Sequence, residues 1–258
     1  MEKIFIKNRK NQNVSVIIEK VDNQKGLVFV MHGLGGFKEQ PHIEIFAKVF
    51  RDNDYTVVRF DTTNTFGESD GNYSDATVTN YYEDLEDVIN WSKKQDFYLS
   101  PFILCGHSLG AICSAWYAEN YPSAVKALAP ISTVVSGRLS IEAHTKEEID
   151  DWQKTGWRTT IGYSSGIEKK LKWSHIEDRL KYDLLLGVDK LTMPVILLVG
   201  ELDTSTPPRH QQILFDKLPG KKELHIIKGA PHTFRDENHF QEIYQILDKW
   251  IKSLSNKL

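Results

Sequence analysis

Long apolar runs, cysteine and an excess of one charge sign are all scarce in this 258-residue chain. The longest apolar runs, such as Leu27–Met31 and Val195–Val199, have the length of a strand. A membrane-spanning helix needs about 20 apolar residues. The opening residues, Met1–Lys10, alternate charged and apolar side chains and lack the apolar core of a signal peptide. We therefore expect a cytoplasmic protein with no membrane partner.

The charge balance excludes another class of partner. The sequence holds 32 Lys and Arg against 35 Asp and Glu, which gives a formal net charge of −3. Such a balance provides no general attraction to nucleic acid or to an anionic surface. Pairs such as Lys169-Lys170 and Lys221-Lys222 are interpreted as solvated faces, because no long run of one sign surrounds them.

Only two cysteines are present, Cys105 and Cys113. They belong to no CxxC pair and to no Cys/His cluster of the kind that holds zinc. We interpret both as buried free thiols. No metal and no cofactor are expected.

Strand-length apolar runs alternate with helical patterns along most of the chain, which predicts one α/β domain over residues 1–258. The expected architecture is a mostly parallel eight-stranded sheet with helices on both faces, its first two strands forming an antiparallel edge. The predicted strands are Lys3–Asn8, Val14–Val21, Gly26–His32, Tyr55–Phe60, Phe102–Cys105, Val125–Ile131, Pro194–Gly200 and Glu223–Ile227. The predicted helices are Glu39–Asn53, a helix capped by Thr77, Ala111–Tyr121, Pro208–Leu218 and Asp236–Leu254.

The alternation breaks over about residues 135–191. Within this insertion, Arg158–Tyr163 and Ile167–Trp173 predict two short strands around a Ser-Ser-Gly turn. A helix carrying Ile176, Leu180 and Leu184 is expected to follow.

The insertion also holds Trp152, Trp157 and Trp173, half of the six tryptophans. Ligands of open α/β sheets bind at the carboxyl ends of the strands, and this insertion follows such an end. We interpret it as a small lid whose three tryptophans contact the substrate. The alternative is a structural excursion with the tryptophans packed underneath.

Gly106-His-Ser-Leu-Gly110 matches the pattern G-x-S-x-G between a predicted strand and a predicted helix. The turn is so tight that the neighbours of the serine must be small, and its hydroxyl then stands at the sheet's edge with a helix N-terminus behind it. Ser108 is therefore the candidate nucleophile. The adjacent His107 is interpreted as a packing or hydrogen-bonding residue.

A nucleophilic serine needs a base and an acid that orients the base. Of nine histidines, His232 lies in a loop directly after the last predicted strand. Asp203 follows the strand Pro194–Gly200, on the same rim as Ser108, whereas its nearest competitor, Glu201, still belongs to the strand end. We predict Ser108, Asp203 and His232 as the catalytic residues.

The segment His32-Gly-Leu-Gly-Gly36 follows the third predicted strand, and its glycines allow a backbone amide to turn toward an oxyanion. The amides of Leu34 and Leu109 are the expected donors. His32 is interpreted as an anchor of this loop.

With the order Ser, Asp, His at successive strand ends, the chain resembles the α/β-hydrolase family over nearly its whole length. More narrowly, it resembles the serine aminopeptidase-like branch, which includes monoacylglycerol lipases and cinnamoyl or feruloyl esterases. The resemblance is carried by His32–Gly36, Asp61–Gly71, Gly106–Gly110, Gly200–Asp203 with Pro207, and Gly229–His232. One departure is Thr62–Phe66, where relatives carry an Arg-Gly stretch.

These residues together predict a serine carboxylesterase that acts on small or medium acyl or aryl esters through an acyl-enzyme. Leu34, Leu109 and the insertion's tryptophans favour an apolar or aromatic group. Monoacylglycerol lipase and aminopeptidase activities, and a non-catalytic small-molecule binder on the same scaffold, stay open as alternatives. Ser108 disfavours haloalkane dehalogenation, which needs an aspartate there. A homodimer is also left open.

Overall fold

The computed structural model describes residues 1–161, 166 and 168–255. Eight of its ten described strands form one sheet, and the other two form a separate hairpin. In chain order the strands are β1 Glu2–Lys7, β2 Asn13–Glu19, β3 Gly26–Met31, β4 Tyr55–Phe60, β5 Phe102–His107, β6 Val125–Ile131, β7 Trp157–Ile161, β8 Glu168–Lys172, β9 Val195–Gly200 and β10 Lys222–Ile227. The sheet order is β1-β2-β4-β3-β5-β6-β9-β10. Among the described pairs of this eight-stranded sheet, only β1–β2 and β2–β4 are antiparallel, so the predicted mostly parallel sheet is confirmed.

Helices cover both faces of this sheet. They are α1 Pro41–Arg51, α2 Val78–Ser92, α3 Leu109–Asn120, α4 Gly137–Ile141, α5 Lys146–Thr155, α6 Ser174–Arg179, α7 Pro208–Lys217 and α8 Glu237–Ser255. Neighbouring residues of β3 point to opposite sides: Phe29 joins a core with α2 and α3, whereas Val28 joins a second core with α1 and α8. Burial on both faces explains why the central strands are continuous apolar runs.

The insertion, residues 135–191, forms its own elements outside the large sheet. Strands β7 and β8 pair antiparallel, from Trp157 opposite Lys172 to Ile161 opposite Glu168, as the predicted hairpin requires. Of the predicted turn, Ser164 and Ser165 lie outside the described residues. The helix predicted through Leu184 was wrong in length, because α6 ends at Arg179.

Two helices of the insertion, α4 and α5, were missed by the sequence reading. Helix α5 begins with a capping box, in which the Thr145 side chain accepts from the Glu148 amide and the Glu148 carboxylate accepts from the Thr145 amide. A Thr-x-x-Glu spacing is a recognisable start signal for a helix. The sequence pattern did not predict the helix because Trp152 is the only buried residue along it, so no apolar periodicity follows the capping box.

Both cysteines are buried free thiols, as predicted, and burial raises the pKa of each. Among the described helices, none combines the length and apolar content that crossing a bilayer requires.

Candidate active site

Ser108 occupies a strained turn between β5 and α3. Its backbone has φ 54° and ψ −113°, a conformation that residues other than glycine rarely adopt. The flanking glycines are obligatory, because a Cβ on Gly106 would lie 2.5 Å from the Gly110 carbonyl oxygen and one on Gly110 would lie 2.4 Å from the His32 carbonyl oxygen. The Ser108 amide donates to the Ile131 carbonyl at 2.9 Å. This bond ties the turn to the next strand of the sheet.

His232 reaches Ser108 from the loop after β10. Its Nε2 lies 3.0 Å from Ser108 Oγ, and its Nδ1 lies 2.7 Å from Asp203 Oδ2. An ionised carboxylate can only accept, so Nδ1 carries the proton and Nε2 is left to accept from the serine hydroxyl. The three residues predicted from strand ends therefore form one hydrogen-bonded line.

Asp203 is held as a carboxylate by several donors. Its Oδ1 accepts from the amides of Ser205 and Thr206, both at 2.9 Å, and Thr206 Oγ1 lies 2.8 Å from Oδ2. Burial alone would favour the protonated acid, but the bonds from His232 and Thr206 outweigh it and hold the pKa of Asp203 well below its usual range. The carboxylate is consequently charged and fixed toward His232 at neutral pH.

His107 fixes the backbone that carries His232. Its ring is buried, and its Nε2 donates to the His232 carbonyl oxygen at 2.8 Å. Burial, with the neighbouring His42 and His232, keeps its pKa well below the ordinary histidine value. A neutral ring with Nε2 protonated is the form that this bond needs.

We expect His107→Leu to lower kcat for ester hydrolysis about tenfold to a hundredfold with little change in KM. The loop would lose a buried hydrogen bond and His232 could shift from Ser108. Steady-state kinetics would measure kcat and KM separately. His107→Gln, whose side-chain amide can donate a hydrogen bond, should recover part of the loss in kcat. Equal losses in both variants would instead assign His107 to packing alone.

The loop after β3 brings Leu34 against the serine turn. A Cβ on Gly33 would lie 3.0 Å from Ser108 Cβ, so the two backbones approach closely. His32 is buried, its Nδ1 donating to the Gly33 carbonyl at 2.7 Å while its Nε2 accepts from the Thr62 amide at 3.1 Å. This geometry fits the predicted anchor. Leu34 and Leu109 both line the cavity at Ser108, and no hydrogen bond between described residues uses either amide.

The Thr62–Phe66 stretch, where the sequence departs from the family pattern, is fixed by a buried carboxylate. Asp84 Oδ2 accepts from both the amide and the hydroxyl of Thr63, each at 2.7 Å. Asn8 Nδ2 donates to the other oxygen at 2.9 Å. These contacts order the loop whose Thr62 amide bonds His32.

A cavity of about 370 Å³ opens in front of Ser108 and extends under the insertion. The three tryptophans predicted to contact the substrate are not among its described lining residues, so that prediction is corrected. Trp152 is buried, donates from Nε1 to the Leu171 carbonyl at 3.1 Å, and packs edge-on against Trp173. Trp157 is 43% exposed on the outside of the hairpin. Trp152 belongs to the core that the insertion shares with α2 and α3, and Trp173 packs against that core, whereas Trp157 lies outside it.

Polar and charged residues line the insertion's side of the cavity instead. They are Ser140, His144, Glu148, Arg158, Lys169 and Arg179. Lys169 was interpreted from the sequence as part of a solvated face, and this is corrected too. In the hairpin, Thr160 stands opposite Lys169 and Arg158 opposite Leu171, so Arg158 and Lys169 share the inward face. The inward position of Arg158 and Lys169 follows only from the strand register, because β7 and β8 lack the alternation of apolar and polar residues that would predict it.

Comparison with known proteins places this site in a family. A family model described as alpha/beta hydrolase fold matches residues 26–163. Bovine mitochondrial palmitoyl-protein thioesterase ABHD10 is 26% identical over 238 residues, covering 89% of this chain and 74% of that protein. Among solved structures, Est1E from Butyrivibrio proteoclasticus with ferulic acid bound has a TM-score of 0.83 at 20% identity, over 98% of this chain and 100% of that one. Mouse ABHD10 has a TM-score of 0.81 at 21% identity, over 99% and 100%.

A parallel sheet with a strained serine between a strand and a helix, and with His and Asp on neighbouring strand ends, defines the α/β-hydrolase class. The chain belongs to the α/β-hydrolase family, as the sequence resemblance predicted. Its relatives support a hydrolase activity and leave the substrate class open. Since the bovine relative is named as mitochondrial, the cytoplasmic location stays a prediction.

Proposed function

We propose that this protein is a serine carboxylesterase that hydrolyses small or medium acyl or aryl esters through an acyl-enzyme. The observation that carries the proposal is the line from Ser108 Oγ through His232 to Asp203, with separations of 3.0 and 2.7 Å. These distances lie within the reach that a general base needs. The cavity of about 370 Å³ falls in the range of small-molecule sites.

In the proposed reaction, Ser108 Oγ attacks the ester carbonyl carbon while His232 Nε2 takes the hydroxyl proton. The Leu34 and Leu109 amides hold the resulting oxyanion. His232 returns the proton to the departing alcohol, which leaves an acyl-Ser108. Water then gives a proton to His232 and attacks the acyl carbon, and collapse of that intermediate releases the acid and restores Ser108.

Thioester hydrolysis is a second candidate, favoured by the name of the bovine relative. The same serine, base and amides would serve a thioester, because the attacked carbonyl is the same. A non-catalytic binder on this scaffold would have no use for an activated serine. The hydrogen bond from Ser108 to His232 therefore favours an enzyme over a binder.

Covalent labelling tests the proposal directly. A fluorophosphonate probe should modify the wild-type protein, with the adduct located on Ser108 by mass spectrometry, because only an activated serine reacts readily. Labelling should disappear in Ser108→Ala and persist in Ser114→Ala, whose hydroxyl instead bonds the Gly110 carbonyl at 2.9 Å. An unlabelled wild-type protein would favour the binder.

A further inference from the structure

Three cationic side chains gather where the cavity meets the insertion. Arg158, Lys169 and Arg179 all line it, and Glu148 is the one carboxylate among the described lining residues. Within the described part of the chain, no carboxylate oxygen lies within 4 Å of the charged groups of these three residues. Among the described residues the cluster therefore has no direct ion-pair partner, although Arg158 lies near enough to Glu148 to help lower the pKa of that carboxylate.

Arg179 is the most buried of the three, with 9% of its surface exposed. Its Nη1 donates to Ser140 Oγ at 3.3 Å, and its Nη2 donates to His175 Nε2. His175 can accept there because its own Nδ1 donates to the Ala76 carbonyl at 2.8 Å. Arg179 Nε is buried without a hydrogen-bond partner among the described residues.

A buried guanidinium held by two neutral groups is unfavourable by itself. Burial, reinforced by Arg158, lowers the pKa of Arg179 to about 10, so the group stays charged at neutral pH. Removing a charge from water is costly unless an opposite charge compensates it. The structure thus maintains a cation beside the reaction cavity at the expense of stability, which is typical of a binding site.

The other two cations are oriented by aromatic rings. The Arg158 guanidinium lies 5.5 Å from the ring centroid of Trp152, and Lys169 Nζ lies 4.9 Å from that of Phe66. Such contacts position a cation without using its N–H donors on an acceptor. Trp152, predicted to touch the substrate, instead lies beneath Arg158 and stacks on His175, the residue that holds Arg179.

We infer that Arg158, Lys169 and Arg179 bind a carboxylate of the substrate, so that the preferred esters carry an anionic group in addition to the ester that is cleaved. The inference rests on the proposed function, because it places that carboxylate in the same cavity as Ser108. Two guanidinium groups suit a carboxylate, since their planar N–H pairs match its two oxygens. The carboxylate could belong to the acyl part or to the alcohol part of the ester.

Paired substrates test this inference. For the acyl arm, 4-nitrophenyl hydrogen adipate is compared with 4-nitrophenyl adipamate, in which a neutral amide replaces the carboxylate. For the alcohol arm, 4-(carboxymethyl)phenyl butyrate is compared with its carboxamide. We expect kcat/KM of the wild-type protein to be about tenfold to a hundredfold higher for the anionic member of at least one pair, because hydrogen bonds to charged groups are strong.

Charge removal then locates the site. Arg158→Gln and Lys169→Gln should each lower the anionic-to-neutral ratio about tenfold. Lys170→Gln is the matched control, because Lys170 is exposed on the same strand as Lys169 and pairs with Glu168 at 3.0 Å. The anionic-to-neutral ratio of this variant should equal that of the wild type. Arg179→Gln should lower the ratio most, and its thermal unfolding is measured alongside because Arg179 is buried.

The outcomes separate this inference from the proposed function. If the neutral esters are hydrolysed and neither pair shows an anionic preference, the carboxylate site is wrong and the esterase stands. A preference that survives both Arg158→Gln and Lys169→Gln also overturns the site. If no ester is hydrolysed and the fluorophosphonate does not react, the proposed function itself fails.

Discussion

Ser108→Ala is expected to lower kcat for an activated ester by about 10⁶-fold, and Asp203→Asn by about 10⁴-fold. The alanine variant removes the attacking oxygen. The asparagine variant keeps the shape of the side chain but presents an amide that can donate to His232, which favours the tautomer with Nε2 protonated. That tautomer cannot accept the proton of Ser108. Steady-state kinetics with 4-nitrophenyl butyrate would measure both losses.

Glu201→Gln provides the matched control for Asp203→Asn. Glu201 is the nearest competing acid at the same strand end, but its Oε2 accepts from the Gly229 amide at 2.8 Å. We expect its activity to stay within a few-fold of the wild type. If Asp203→Asn kept full activity, Asp203 would not be the orienting acid. Retention of more than about a tenth of the activity in Ser108→Ala would place the nucleophile elsewhere.

The sheet and the proximity of Ser108, His232 and Asp203 could be predicted from the sequence because both depend on local signals. Buried parallel strands are short apolar runs, and the carboxyl ends of parallel strands meet on one rim. Ser108, Asp203 and His232 each follow such a run. Their positions after these strands therefore predicted that they lie close together. The bounds of the strands Tyr55–Phe60 and Val125–Ile131 were predicted to the residue.

The substrate side of the cavity could not be predicted in the same way. It is built by the insertion, whose short elements show no clear apolar period, because α5 buries Trp152 alone and β7 has no fully buried side chain. A tryptophan in such a segment contacts a ligand or fills a small core, and the sequence does not distinguish these. Trp152 fills the core, while Arg158 and Lys169 face the cavity through the register of a two-stranded hairpin.

Acidification from pH 7 to pH 5 is expected to lower the free energy of unfolding, because the unfolded chain takes up protons at histidines that are buried and neutral in the folded protein. Burial lowers the pKa of six histidines in the folded protein: His32, His42, His107, His144, His175 and His210. The unfolded chain binds a proton at each below its ordinary pKa of about 6.5, whereas the lowered pKa values disfavour protonation in the folded protein. Stability is therefore lost as pH falls below about 6.5, and His42, with a folded pKa of about 3, alone accounts for about 2 kcal/mol of the loss at pH 5.

Glu119 has the opposite effect on the pH dependence of the free energy of unfolding. Burial, partly offset by Lys190, raises its pKa to about 8, so the folded protein holds a proton that the unfolded chain releases above about pH 4.5. Its contribution to stability is present at low pH and is lost as pH rises through about 8. Between pH 7 and pH 5 it offsets about 2 kcal/mol of the loss from the histidines.

Two variants isolate these opposing contributions in urea unfolding at pH 7 and pH 5. His42 has a folded pKa of about 3 and a buried Nε2 with no partner among the described residues, so His42→Leu should reduce the loss on acidification by about 2 kcal/mol. Glu119→Gln should increase that loss by a similar amount, because the offsetting proton is gone. Equal unfolding free energies of the wild-type protein at both pH values would contradict the lowered pKa values, because the folded protein would then take up protons at pH 5 as the unfolded chain does.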